Sequence, residues 1–215
     1  MIPIVSIVGR SGSGKTTLLE KVVAELTRKG YKVGTVKHDV HGFDIDKEGK
    51  DSWRHKKAGA KTVVISSPTK LAMVRDVDAE LALDRIRFNL LEDVDIIITE
   101  GYKKAMNPKI EVIRKSQATK PICSKNEQLI AIAADTEVDI DLPCFNINDA
   151  EGISNFIEEL FLKKTKVERN VFLMVNGKRV PLKPFIRDFL SDSIKGMVSS
   201  LRGCKNPKKI EIKID

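Results

Sequence analysis

The sequence predicts an α/β fold, a mostly parallel sheet with helices on both faces, followed by a small basic ββαβ unit. Three observations predict it. Residues 2–8 are almost all apolar, which is how a strand buried on both faces reads. A glycine-rich stretch then leads into a helical pattern and a second apolar run, a strand–helix–strand unit that favours a right-handed crossover and a parallel sheet. Beyond it, strand-like and helical patterns keep following one another as far as residue 162.

Taken in order, the first strand ends at Gly9. The helix over 18–29 carries Leu18, Leu19, Val22, Val23 and Leu26 on one period, and Gly30 stands where a left-handed residue closes a helix. Residues 31–36 form the second strand. Residues 37–50 are polar, hold two glycines and show no period, so a loop leaves the carboxyl end of that strand, the edge where open α/β sheets bind ligands. A short helix over 51–60 follows, with Asp51 or Ser52 as its cap and Gly59 at its end. Residues 62–66 and 70–74 are strand-like about a turn at Pro68, and 79–91 are helical. Residues 95–101, Asp-Ile-Ile-Ile-Thr-Glu-Gly, read as a strand ending in an acid. Strands follow over 109–114, 129–134 and 144–147, then a closing helix over 149–162 capped by Asp149 or Asn148.

Residues 163–166 are a polar link between a domain at 1–163 and an extension at 168–215. In the extension, strands over 171–175 and 180–182 flank Asn176-Gly177, a strong hairpin signal. A helix over 184–201 has Phe185 and Phe189 at core positions, and 210–214 alternates as an edge strand. The net charge of +8 is concentrated here: residues 163–215 hold 14 Lys/Arg against 5 Asp/Glu, while residues 1–162 are nearly balanced. Such asymmetry suggests two units with different partners, the basic one suited to something anionic.

The chemistry centres on Gly9-Arg10-Ser11-Gly12-Ser13-Gly14-Lys15-Thr16-Thr17, which is G-x-x-x-x-G-K-[ST] between a strand and a helix. Glycines let backbone N–H groups close on a phosphate, and the helix N-terminus adds unpaired N–H groups and the positive end of its dipole. Lys15 then reaches the β- and γ-phosphates as a point charge, and Thr16 offers its hydroxyl to Mg²⁺. Glu100 ends a neighbouring strand, where phosphate-loop proteins keep the carboxylate that holds the same ion; Asp95 begins that strand and falls at the far edge. His38, Asp39 and His41 lie on the loop after the second strand, near the phosphates.

Composition narrows the class. With 41% hydrophobic and 32% charged residues in 215, the chain reads as soluble and globular, and no apolar run approaches the ~20 residues of a membrane span. No basic segment precedes the first strand, so no secretory leader is expected. Cys123, Cys144 and Cys204 are dispersed and form no C-x-x-C, which indicates neither disulfides nor zinc and makes the cytoplasm the expected compartment.

The stretches GRSGSGKTTL at 9–18, VKHDVHGFDIDKEGKDS at 36–52, RHKKAGA at 54–60 and ITEGYK at 98–103 together resemble the MobB family of molybdopterin-guanine dinucleotide biosynthesis proteins. The resemblance covers about residues 1–163; the tail resembles an extension carried by some members. It implies a P-loop fold and a homodimer that binds GTP with Mg²⁺, hydrolyses it slowly and assists the guanylyltransferase MobA in attaching GMP to molybdopterin. Carried over by position, Gly9 to Thr17 cradle the phosphates, and Thr16 with Glu100 holds the metal. A guanine-reading N-K-x-D motif is missing, so the GTP preference rests on the resemblance. A second class is a P-loop small-molecule kinase, with Asp39 or Asp51 as the base. A third, a nucleic-acid module in the tail, lacks any RNP or KH signature.

Overall fold

Strands β1 (Ile4–Gly9), β2 (Val33–Lys37), β5 (Ile96–Glu100), β6 (Lys109–Ile113), β7 (Leu129–Ala134) and β8 (Cys144–Asn146) form one six-stranded sheet. The computed structural model describes residues 2–39, 42–91, 93–117, 120–163, 171, 173–175, 178–207 and 209–212. It divides into two units, residues 2–158 and 159–215. In the first, the order is β2-β5-β1-β6-β7-β8 and every pairing is parallel. All six residues of β1 and all five of β6 are buried, as their lack of alternation requires.

Helix α1 (Lys15–Arg28) starts three residues before the apolar period does. Gly14 turns the chain in the left-handed region, φ +91°, so Lys15, Thr16 and Thr17 already form the first turn. Leu18, Val22 and Leu26 are buried. The end is a Schellman turn: the Gly30 N–H reaches Thr27 O at 2.9 Å and the Tyr31 N–H reaches Leu26 O at 3.1 Å. Helix α4 (Ala150–Ile157) packs on α1 and is capped as expected by Asp149, which accepts from the Gly152 N–H at 2.8 Å. It runs on into one π-helical turn, Glu158–Leu162.

In-register neighbours of a parallel ladder share a face. Gly34, Ile97, Val8, Glu111, Ile113, Ile132 and Ala134 lie on the face opposite Ile7, Glu100 and Val112. On the former face, Leu91 and Val94, just past α3 (Leu83–Leu90), press against Gly34. Over β6 and β7, irregular chain covers that face: Cys123, Val138, Ile140 and Leu142 close on Val8, Ile113 and Ile132.

Two further elements of the first unit depart from expectation. The helix expected from residue 79 begins at Leu83, because Ala82 is still extended. Asp51 and Ser52 do not cap α2 (Asp51–Lys57); they lie inside its first turn, since the chain leaves the extended conformation at Lys50. Strands β3 (Thr62–Ser66) and β4 (Leu71–Arg75) form an antiparallel hairpin apart from the main sheet.

In the second unit, β9 (Leu173–Val175) pairs antiparallel with β10 (Lys178–Val180). Val175 faces Lys178, which is the register a two-residue turn dictates; the expected Asn176-Gly177 turn itself lies outside the described residues. Helix α5 (Pro184–Ser199) carries Pro at its first position. Phe185 and Phe189, expected in a core, are exposed with ring centroids 6.5 Å apart, in keeping with the little interior a unit of this size can close. The expected last strand is not seen at residues 210–212, and 213–215 lie outside the described residues. Among the described residues no helix is long and apolar enough to cross a membrane.

Strand β6 buries two charged side chains. Lys109 Nζ donates to Ala105 O at 2.6 Å and Asn107 O at 3.4 Å, and also to Glu127 O. Glu111 accepts from the Ile122 N–H at 2.8 Å and the Cys123 N–H at 2.9 Å. Burial, then the Glu111 carboxylate, pushes the Cys123 thiol up to about 11. Replacing Glu111 by Ala orphans two N–H groups and should lower stability by about 2–4 kcal/mol, read as a fall in the urea midpoint. In the native protein Cys123 should resist a thiol reagent at pH 8 while exposed Cys144 reacts; prompt labelling of Cys123 would contradict this.

Candidate functional site

The glycine-rich loop leaves β1 at its carboxyl end and closes into α1. Its conformation accounts for two of its glycines. Gly9 has φ +149°, and a Cβ there would lie 2.6 Å from Val112 O. Gly14 has φ +91°, and a Cβ would stand 3.1 Å from the Arg114 guanidinium. Lys15 Nζ donates to Arg10 O at 2.8 Å, which folds its side chain back along the loop. Burial lowers the Lys15 amine from its ordinary value; Glu100 opposes this, while Lys103 and Lys37 add to it. Three ammonium groups therefore share one neighbourhood, a field that favours an anion.

The structure brings Thr16 and Glu100 together. The Thr16 hydroxyl donates to Glu100 Oε2 at 2.9 Å. Glu100 is there because β5 lies beside β1, with Ile7 opposite Glu100 in register and the Gly101 N–H on Ile7 O at 3.0 Å. Lys37 is the partner of Glu100 on the other side. Asp95 is excluded from this group: it sits at the far end of β5 and accepts from the Lys32 N–H at 2.8 Å.

His38 also belongs to this edge. Its N–H bonds Glu100 O at 3.0 Å, its Nε2 lies 2.9 Å from Glu80, and its ring stands 4.7 Å from that of Tyr102. Asp39 follows it, exposed, at the carboxyl end of β2. Asp51 opens α2 in a 3.6 Å pair with Arg54. His41 lies outside the described residues.

Three residues given no role by the sequence hold the loop from the β6 side. Arg114 Nε donates to Ser13 O at 3.2 Å and its NH1 to Asp135 Oδ2 at 3.2 Å. Gln117 Nε2 donates to Ser11 O at 2.8 Å. The available signal was positional: Arg114 and Asp135 directly follow strands β6 and β7, whose ends share the ligand-binding edge with β1.

These groups fit a nucleotide phosphate chain and a hard cation. The Ser13 hydroxyl is buried in the loop without a hydrogen-bond partner, and the first turn of α1 turns unpaired N–H groups the same way. A hydroxyl and a carboxylate oxygen in contact are the small oxygen set that Mg²⁺ uses when water and phosphate supply the remaining ligands. Among the described residues no three His, Cys, Asp or Glu side chains form an all-protein metal cage.

Residues 4–135 match the family described as MobB: Molybdopterin guanine dinucleotide synthesis protein B. The chain is 37% identical to the molybdopterin-guanine dinucleotide biosynthesis adapter protein of Haemophilus influenzae, over 73% of this chain and 88% of that one. A relative in Methanocaldococcus jannaschii, 27% identical, spans 99% of this chain and 97% of its own length, so the basic extension has a counterpart there. A solved structure described as molybdopterin-guanine biosynthesis protein B is 36% identical and superposes with a TM-score of 0.60, over 74% of this chain and 98% of that one.

The lowered Lys15 amine has a consequence for the protein without nucleotide. Its charge is disfavoured by folding, so it opposes stability at neutral pH, an opposition relieved only as pH rises through the folded value toward 10.5. Lys15→Met should leave the melting temperature of the nucleotide-free protein unchanged or higher; a clear fall by calorimetry would show that Lys15 holds the loop together by itself.

Proposed function

This chain belongs to the molybdopterin guanine dinucleotide synthesis protein B family, and we propose that it is a GTP-binding adapter in making the guanine dinucleotide form of the molybdenum cofactor. In this reading it binds GTP with Mg²⁺, hydrolyses it slowly, works as a homodimer, and assists the guanylyltransferase MobA in joining GMP to molybdopterin. The observation that carries the nucleotide part is the Thr16–Glu100 contact at the head of a complete phosphate loop. Loop amides and the first turn of α1 take the phosphate oxygens, and Lys15 swings from Arg10 O onto the terminal phosphates as a point charge. Thr16 and Glu100 hold the cation, which when bound offsets charge on the phosphate oxygens. The kinase alternative asks for a base at Asp39 or Asp51, and Asp51 is instead turned to Arg54 on α2.

Calorimetric titration tests the nucleotide part. Lys15→Ala should abolish GTP binding with the fold intact. Glu100→Gln should weaken binding with Mg²⁺ by about tenfold or more and binding without Mg²⁺ much less, because the change removes charge and keeps shape. Equal losses in both conditions would take Glu100 off the metal. The pathway part is tested by reconstitution: adding the protein to MobA, molybdopterin, GTP and Mg²⁺ should raise the yield of guanine dinucleotide cofactor, and Lys15→Ala should not.

The extension is proposed to meet an anionic partner in the same pathway, the phosphate of molybdopterin or an acidic face of MobA. Its 14 Lys/Arg against 5 Asp/Glu exceed what so small a unit needs for its own folding. Reversing charge at Lys205 and Lys209 should leave GTP affinity intact and weaken association with one of these partners, more at low salt than at high. Equal binding of native and reversed proteins to both partners would return the extension to a solvated surface.

A further inference from the structure

Two sides of the phosphate loop carry different equipment. The side toward β5 holds Thr16, Glu100, Lys37 and Lys103, the charges suited to a cation and terminal phosphate. A nucleotide laid along the loop with its terminal phosphate there must send its ribose and base the other way, over the carboxyl ends of β6, β7 and β8. Those ends are aligned: Ile113 faces Ala134, and Ala134 faces Asn146. The next residues outward are therefore Arg114, Asp135 and Ile147.

Among the described residues, the polar side chains at this edge differ in what they have left to offer. Asn146 Oδ1 accepts from the Asn148 N–H at 2.9 Å, Asn148 Oδ1 from Lys21 at 3.2 Å, and Asp149 caps α4. Asp135 is tied to the loop itself. Its Oδ2 accepts from Arg114, whose Nε holds Ser13 O, and its Oδ1 accepts from the Lys115 N–H at 2.7 Å. An ionised carboxylate has about four acceptor positions, so about two remain beside those bonds. The Lys115 amide first, then the Arg114 guanidinium, holds this carboxyl below the usual carboxylate range, so it is an anion at any pH of interest.

From this we infer that Asp135 is the guanine-reading residue, its carboxylate accepting the N1–H and N2–H groups of the base while Arg114 fixes it at a set distance from the phosphate loop. The chemistry distinguishes the purines. Guanine presents two adjacent donors on that edge, which match the two oxygens of one carboxylate. Adenine presents an unprotonated ring nitrogen there, whose lone pair faces the carboxylate's own. Guanine selection is thereby supplied without an N-K-x-D motif. The inference rests on the GTP-binding reading above and names the residue that sets its base preference.

The experiment compares GTP, ATP, ITP and XTP, each with Mg²⁺, by calorimetry on the full chain. The native protein should bind GTP more than about tenfold tighter than ATP, and tighter than ITP, which lacks the 2-amino donor. Asp135→Asn should weaken GTP and strengthen XTP, since xanthine carries an oxygen where guanine has the amino group and the amide NH₂ can donate to it. The GTP-to-XTP ratio should fall by more than about a hundredfold, a reversal that loosening of the loop would not give. If the variant is poorly folded by its melting curve, the native GTP-to-ITP comparison stands alone: equal affinities overturn the inference. Equal native affinity for GTP and ATP overturns the guanine reading itself. A native preference for GTP with an unchanged GTP-to-XTP ratio in Asp135→Asn overturns only the role of Asp135.

Discussion

The hydrogen bond from Thr16 to Glu100 joins residues 84 positions apart in the chain, and the architecture of the first unit follows from making it possible. Thr16 is fixed by the phosphate loop at the end of β1. For a carboxylate to meet it from a parallel strand, that strand must lie directly beside β1 and end level with it. Strand β5 does so, with Ile7 opposite Glu100. The cost is that β2, next to β1 in sequence, is displaced to the edge of the sheet, and more than half the first unit must be synthesised before the central pair can close. Long-range parallel pairing of this kind is slow to form, because loop-closure entropy is spent before the contacts repay it. Once made, it leaves β6 as the neighbour on the other flank, so Glu100 and Arg114 reach the loop from strands on either side of β1.

The same placement explains why the site is electrically uneasy. Lys15 is partly withdrawn from water with Lys37 and Lys103 acting on it and only Glu100 in opposition. Its ammonium donates to a single loop carbonyl, that of Arg10, a contact that lies along the loop. The Ser13 hydroxyl is buried without a partner in the same few residues. Features that oppose folding and collect in one loop are the mark of a binding site, where local consistency is given up for a ligand.

Much of this was legible in the sequence, for stated reasons. Parallel strands buried on both faces announce themselves as unbroken apolar runs, and β1, β5 and β7 were placed within two residues. The loop and Glu100 were legible because phosphate chemistry leaves few choices of residue. What was missed depends on information a single strand does not carry. Arg114, Gln117 and Asp135 act on the loop through sheet order, and neither spacing nor composition states that β6 lies beside β1. The start of α3 and the cap of α2 were not legible, because apolar periodicity does not report where the backbone leaves the extended region, at Ala82 and Lys50; the start of α2 at Asp51 was. The alternation at 210–214 describes two faces of a strand and says nothing of a partner to pair with.

Strand β6 shows how the parts are coupled. Its residues Lys109 and Glu111 lie on the face that the connecting segments cover at this side of the sheet, and each is bound to those segments. Apolar residues there would have given comparable burial, since removing charged groups from water is costly and only complete hydrogen bonding offsets it. They would not have fixed where the segments at 105–107, 122–123 and 127 lie, because apolar contact is non-directional. Directional bonds from a rigid strand do that. The strand continues into Arg114 and then Gln117, which grip the phosphate loop at Ser13 and Ser11. The loop is thus also held from a neighbouring strand whose own position is set by buried, hydrogen-bonded charges, so its geometry depends on the core as well as on its own glycines.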